Sequence, residues 1–89
     1  MLFENVPKGV IPAHDHCFHN RKELEASQIC GCCYCLSIFK PNEIHEWLDH
    51  EAPGTAFCPK CSIDAVIGDK SGFPITEKFL KQMNEHWFK

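Results

Sequence analysis

A small α+β domain organised around paired cysteines is what this sequence predicts, and three observations carry the prediction. The chain has 89 residues, enough for one domain but for only a modest core. Cys32/Cys35 and Cys58/Cys61 form two C-x-x-C pairs with 22 residues between them. The apolar residues fall into short runs suited to brief strands and helices, with one longer helical stripe at the C-terminal end.

Taken in order, residues 1–13 hold two prolines and a glycine among apolar residues and read as an extended arm, with Leu2, Phe3, Val6 and Ile11 available to pack on the domain. An N-terminal arm over 1–19 and a single domain over 20–89 follow. Within the arm, His14-Asp-His-Cys-Phe-His19 gathers possible metal ligands. Asn20, with Glu23 three residues later, has the spacing of a capping box and predicts a short helix over 21–27 with Leu24 inward. Leu36-Ser37-Ile38-Phe39 suits a short strand. Pro41 and Asn42 then start a second helix carrying Ile44, Trp47 and Leu48 on one face, ended by Pro53-Gly54. Thr55-Ala56-Phe57 leads as a strand into the second cysteine pair. Ile63 to Ile67 follows as a short helix or strand, and Gly68 to Gly72 form a turn. Thr76 caps a last amphipathic helix with Phe79, Leu80, Met83 and Trp87 on one stripe.

So small a scaffold needs a disulfide framework, a metal or a partner to stabilise it. Cysteine makes up 7 of 89 residues, about 8%, near the level of disulfide scaffolds. Metal is favoured for three reasons. The cysteine count is odd. Cys30, Cys32, Cys33 and Cys35 crowd together, so adjacent residues would struggle to find separate partners. No basic-then-apolar leader opens the chain, and no apolar run approaches the ~20 residues of a membrane span, so a reduced, cytoplasmic protein is expected.

Zinc takes sulfur and nitrogen donors tetrahedrally, and structural sites are often built from four cysteines. Two intervening residues let a tight turn aim both sulfurs at one ion while its backbone N–H groups face the thiolates. Pro59 pre-sets the second turn, and Phe39 follows Cys35 closely enough to pack beneath the site. One structural zinc on Cys32, Cys35, Cys58 and Cys61 is therefore expected. Redox-active thiols are the competing reading, but a thioredoxin-like pair needs a βαβ setting that is missing here. Cys30 and Cys33 form an overlapping C-x-x-C. Cys32/Cys35 is preferred because Cys35 runs directly into the apolar strand. Buried small side chains are the ordinary fate of the remaining thiols. A second metal on His14, His16, Cys17 and His19, completed by Cys30 or Cys33, is the sharper alternative. His45, His50 and His86 read as solvated helix residues.

A resemblance becomes visible at this point. His19-Asn20-Arg21, Cys30-Gly31-Cys32 with Tyr34-Cys35, Cys58-Pro59-Lys60-Cys61, Ile63-Asp64-Ala65-Val66-Ile67-Gly68-Asp69, Gly72-Phe73-Pro74-Ile75-Thr76 and Trp87-Phe88 together resemble a family of small bacterial and phage-associated proteins labelled only "cytoplasmic protein". The similarity runs from about residue 18 to the end and implies a zinc-binding cytosolic protein, with no activity to carry over. Members often have Phe at the position of Cys33, which marks Cys33 as a non-ligand. They often have Gly at that of Ser62. A serine there argues against left-handed backbone and for the start of a helix.

Two architectures fit. In a treble clef the second cysteine pair sits at a helix N-terminus; in a zinc ribbon both pairs sit on hairpins. Asp64, near the start of the segment after Cys61, suits a helix N-terminus, so a treble clef-like zinc finger is expected, with the ribbon as alternative. The formal charge is −3, and four thiolates with one zinc ion bring it to about −5. The nine Lys and Arg are scattered. That is a poor footprint for phosphate backbones. The expected function is a non-enzymatic interaction module for a protein partner, with His19, Asn20, Arg21, Asp64, Asp69 and the Gly72-Phe73-Pro74 turn as candidate contacts. For Asn20, Asp64 and Asp69 the plainer role is capping a helix or turn. Nucleic-acid binding through Arg21, Lys22 and aromatic residues is the alternative. A metal-dependent nuclease, with a histidine base and an open metal position, ranks last. The apolar terminal helix allows a homodimer.

Overall fold

A computed structural model describes residues 9–48 and 54–88. Leu2, Phe3, Val6, His50 and Pro53 lie outside the described residues.

The chain is a small α+β domain with short helices and a C-terminal helix. It begins with α1, Val10–Ala13, continued by a 3-10 turn over His14–Cys17. This corrects the extended reading of that stretch. Gly9 adopts φ +90, and its carbonyl accepts from the Ala13 N–H at 2.9 Å, closing the first turn. Pro12 sits where no intrahelical N–H is required. Val10, Ala13 and Cys17 then fall on one side, and all three are buried, whereas Ile11 is exposed. Core packing of that face outweighs the extended preference of a Pro/Gly-rich segment.

Helix α2, Arg21–Glu25, is shorter than expected but buries Leu24 completely. The Ser27 hydroxyl donates to the Glu23 carbonyl at 2.8 Å just past its end. Strands β1, Cys30–Cys32, and β2, Ile38–Phe39, pair antiparallel, with Cys30 opposite Phe39. The Pro41–Asn42 segment departs from expectation. It makes a single 3-10 turn over Pro41–Glu43, in which the Glu43 carboxylate accepts from the Lys40 N–H at 2.8 Å, and Ile44 is already extended. Trp47–Leu48 then form β3, paired with β4, Thr55–Ala56. The Ile44/Trp47/Leu48 spacing fits a helix face, but so short an apolar run does not decide between helix and strand. Strand pairing settled it: the Phe57 N–H extends the ladder to the Glu46 carbonyl at 3.0 Å.

Strand β5, Val66–Gly68, joins the other edge of β1, giving a three-stranded antiparallel sheet in the order β2-β1-β5. The strand option for residues 63–67 is thus realised only over its end. A 3-10 turn over Asp69–Ser71 and Gly72 at φ +91 make the expected turn. Helix α3, Glu77–Trp87, starts as expected, with the Thr76 hydroxyl accepting from the Phe79 N–H at 3.2 Å. Its Phe79, Leu80 and Met83 are buried.

The seating of α3 depends on Gly31, at the middle of the central strand. A Cβ there would lie 2.7 Å from Leu80 Cδ1 and 3.1 Å from Ile75 Cγ2. Lacking one, the strand lets α3 sit directly upon it. The Trp87 indole N–H donates to the Val10 carbonyl at 3.0 Å, tying the far end of α3 to α1.

Asn20 holds the two sheets and α2 together. Its side-chain amide donates to the carbonyls of Val66 at 2.8 Å and His16 at 2.9 Å, and its oxygen accepts from the Ala56 N–H at 3.2 Å. It makes no capping bond to α2, so the capping-box expectation is corrected. Glu23, the other half of that box, instead meets His16 Nδ1 at 3.0 Å.

Candidate metal centre

Cys32 is the last residue of β1, and Cys35 lies in the turn that brings the chain back as β2. Cys58 and Cys61 occupy the loop between β4 and β5. Because β5 pairs with β1, the second loop is carried to the mouth of the first. The four thiol sulfurs all lie within 4.8 Å of one another. Cys32 Sγ is 3.6 Å from Cys61 Sγ, and Cys35 Sγ is 3.7 Å from Cys58 Sγ. A disulfide would hold sulfurs at about 2.05 Å. A tetrahedral zinc with bonds of about 2.3 Å sets its sulfurs about 3.8 Å apart. The cluster fits the ion and does not fit cross-linking.

The two loops are built alike. In the first, the Leu36 N–H donates to the Cys32 carbonyl and the Cys32 N–H to the Ser37 carbonyl, both at 2.9 Å. In the second, Ser62 donates to Cys58 and Cys58 to Ile63, again both at 2.9 Å. The Tyr34 and Lys60 N–H groups each point at the first cysteine sulfur of their loop, at 3.3 Å. Backbone dipoles thus stabilise thiolate charge at both turns. Closing such a turn places the residue after the second cysteine in the left-handed region, Leu36 at φ +67 and Ser62 at φ +69. The expectation that serine at position 62 argues against this conformation and for the start of a helix is therefore corrected. Two backbone hydrogen bonds impose the turn despite the side chain, and the chain proceeds to β5.

Electrostatics differ among the thiols. Burial pushes Cys32 up, an effect its backbone N–H contacts only partly offset. Burial raises Cys61 too. At Cys35 burial acts in the same direction, but hydrogen bonds from Ser37 and the neighbouring Cys61 and Cys58 sulfurs more than offset it and bring the group to about 7. A metal entering this site meets one thiol inclined to ionise, Cys35, and would displace protons from the raised Cys32 and Cys61.

Helix α3 braces the first turn from outside, where the Asn84 amide donates to the Tyr34 carbonyl at 2.9 Å. Phe39 is buried and pairs with Cys30 across the β1–β2 hairpin.

The overlapping pair takes no part in the cluster. Cys30 is fully buried, and burial with the nearby Asp69 carboxylate raises it to about 12. Cys33 is also buried and is pushed up mainly by a side-chain hydrogen bond with Cys17. The histidine arm does not converge as a second metal set. His14 stacks on Trp87 with ring centroids 3.9 Å apart, His16 binds Glu23, and the His19 N–H donates to Thr55 Oγ1 at 2.8 Å. Among the described residues, the four-cysteine group is the one cluster of ligand side chains close enough to hold an ion.

Of the other candidate contacts, Asn20 and Asp69 are structural. The Asp69 carboxylate accepts from the Gln28 N–H at 2.9 Å, which holds its pKa below the usual value. Arg21 pairs with Glu25 at 3.1 Å and lies 4.7 Å above the Trp47 ring. Phe73 stacks on Phe79. Asp64 sits at a cavity that sequence reading missed. That cavity has a volume of about 130 Å³, and Phe18, Trp87 and Phe88 contribute to its walls. Its residues come from four separate segments, so no local motif announces it.

Comparison with protein families, with curated proteins and with solved structures returns no match. The family resemblance therefore rests on its sequence motifs alone. No helix of the described residues is long and apolar enough to cross a membrane.

Proposed function

We propose that this chain is a structural-zinc domain that acts as a non-enzymatic interaction module for a protein partner. The observation that carries the reading is the closed donor set. Four cysteine sulfurs at tetrahedral spacing satisfy every position of a zinc ion and leave none for water or substrate, as in structural sites. When bound, the ion would link the β1–β2 hairpin to the loop entering β5, joining segments far apart in sequence. Exposed apolar side chains cluster around the α3 end of the domain. Tyr34 and Phe88 meet edge to face at 5.2 Å, and Phe18 is exposed as well. These are suitable contacts for a protein surface, whether a different chain or a second copy.

The test joins two measurements. Elemental analysis of protein purified under reducing conditions is expected to give one zinc per chain, lost together with the fold on chelation. Binding assays then compare partner recognition by the wild type with that by Tyr34→Ala/Phe88→Ala, which should retain zinc and lose the partner. Tight, steeply salt-dependent binding to mixed-sequence RNA or DNA would instead favour the nucleic-acid reading, for which Arg21 over Trp47 is the place to begin.

A further inference from the structure

The geometry points to the cavity beside Asp64 as a binding site for an organic ammonium cation bearing methyl groups. Trp87 and Phe88 at the end of α3, together with Phe18, line the cavity. Buried Cys17, Cys33 and Met83 form its floor. Aromatic rings attract cations electrostatically, and quaternary ammonium groups are the usual ligands of aromatic cages. Sulfur atoms add a polarizable surface that suits methyl groups rather than a strongly hydrated ion.

Two further features give the site its charge preference and its size. Asp64 lies at the cavity, is exposed, and makes no ion pair among the described residues. The chain's formal charge of −3 reinforces the attraction for a cation. A volume of about 130 Å³ is close to the ~150 Å³ cavity that holds benzene in an engineered protein, so a trimethylammonium head fits. The walls are also pre-positioned. The Trp87 indole is fixed by its hydrogen bond to Val10 at 3.0 Å and by His14 stacked on one face at 3.9 Å, so a cation must approach its opposite face or its neighbours Phe18 and Phe88. His14 lines the same space. The site shares Phe18 and Phe88 with the apolar face of the partner reading above, and a free metabolite or a methylated lysine presents the same head group.

The experiment is an NMR titration of the zinc-loaded 89-residue chain at pH 8. The probes are choline, its neutral isostere 3,3-dimethylbutan-1-ol, and a short peptide containing trimethyllysine. Choline and the peptide are expected to give saturable shifts at Asp64, Ala65 and the Trp87 indole, with the neutral isostere weaker by about fivefold or more. Tighter binding of the peptide assigns a protein-borne source, and tighter or equal binding of choline a free one. Asp64→Asn should abolish the preference for choline over the isostere, and Phe18→Leu should weaken both cations while preserving apolar volume. Equal binding of choline and the isostere to the wild type overturns the proposal, as do shifts that fail to saturate or that map elsewhere. Both variants are checked for zinc content and native spectra, so loss of fold is not mistaken for loss of the site.

Discussion

Replacing Asn20 by Asp separates two physical roles that predict opposite signs. As a helix cap, Asp serves as well as Asn, and a negative charge at the start of α2 adds about 0.3–1 kcal/mol. As the strut seen here, Asn20 uses its amide N–H groups on two carbonyls, Val66 at 2.8 Å and His16 at 2.9 Å. Asp retains the acceptor for the Ala56 N–H but turns a carboxylate oxygen toward both carbonyls. Asn20 is only 3% exposed, so water cannot relieve that repulsion. Leaving a buried charge unpaired costs about 3–5 kcal/mol. Asn20→Ala loses three hydrogen bonds at about 1 kcal/mol each, against about 1 kcal/mol for a lost cap. Small domains have only about 5–15 kcal/mol in total. Each variant should therefore lower the Tm of the zinc-loaded protein by about 10 °C or more, on the scale of 4–8 °C per kcal/mol for a domain this size. Thermal and urea unfolding, with zinc content checked, read the effect. An Asn20→Asp protein as stable as wild type would refute the strut and restore the cap.

Three other outcomes are expected. Cys58→Ser or Cys61→Ser should lose zinc and unfold, whereas Cys33→Ser should keep one zinc per chain by native mass spectrometry; a folded, metal-free Cys61→Ser protein by circular dichroism would defeat the structural-zinc reading. Ser62→Gly should raise stability by roughly 0.5–1 kcal/mol, because it relieves a left-handed residue at φ +69 while adding some unfolded-chain entropy. A lower urea midpoint for that variant would contradict it. Gly31→Ala should cost about 1–3 kcal/mol, since its methyl would lie 2.7 Å from Leu80 Cδ1 and α3 must shift; an unchanged Tm would mean that α3 is seated less closely than described.

What the sequence alone determined is what depends on neighbours along the chain. Two C-x-x-C spacings each build a complete turn from local backbone hydrogen bonds, so Cys32, Cys35, Cys58 and Cys61 were legible as one set. Thr76 and the apolar stripe of α3 were legible for the same reason: a cap and a helical period need only nearby residues. Local information failed wherever a distant segment competed. Trp47 and Leu48 had a helical spacing, but β4 offered them strand partners. Asn20 stood where a cap belongs, yet its bonds run to Ala56 and Val66, 36 and 46 residues away. The dispersal of the histidines and the cavity at Asp64 were decided only by tertiary structure. Each depends on which face of one segment meets another, a matter settled by burial and by satisfying buried polar groups across the whole fold.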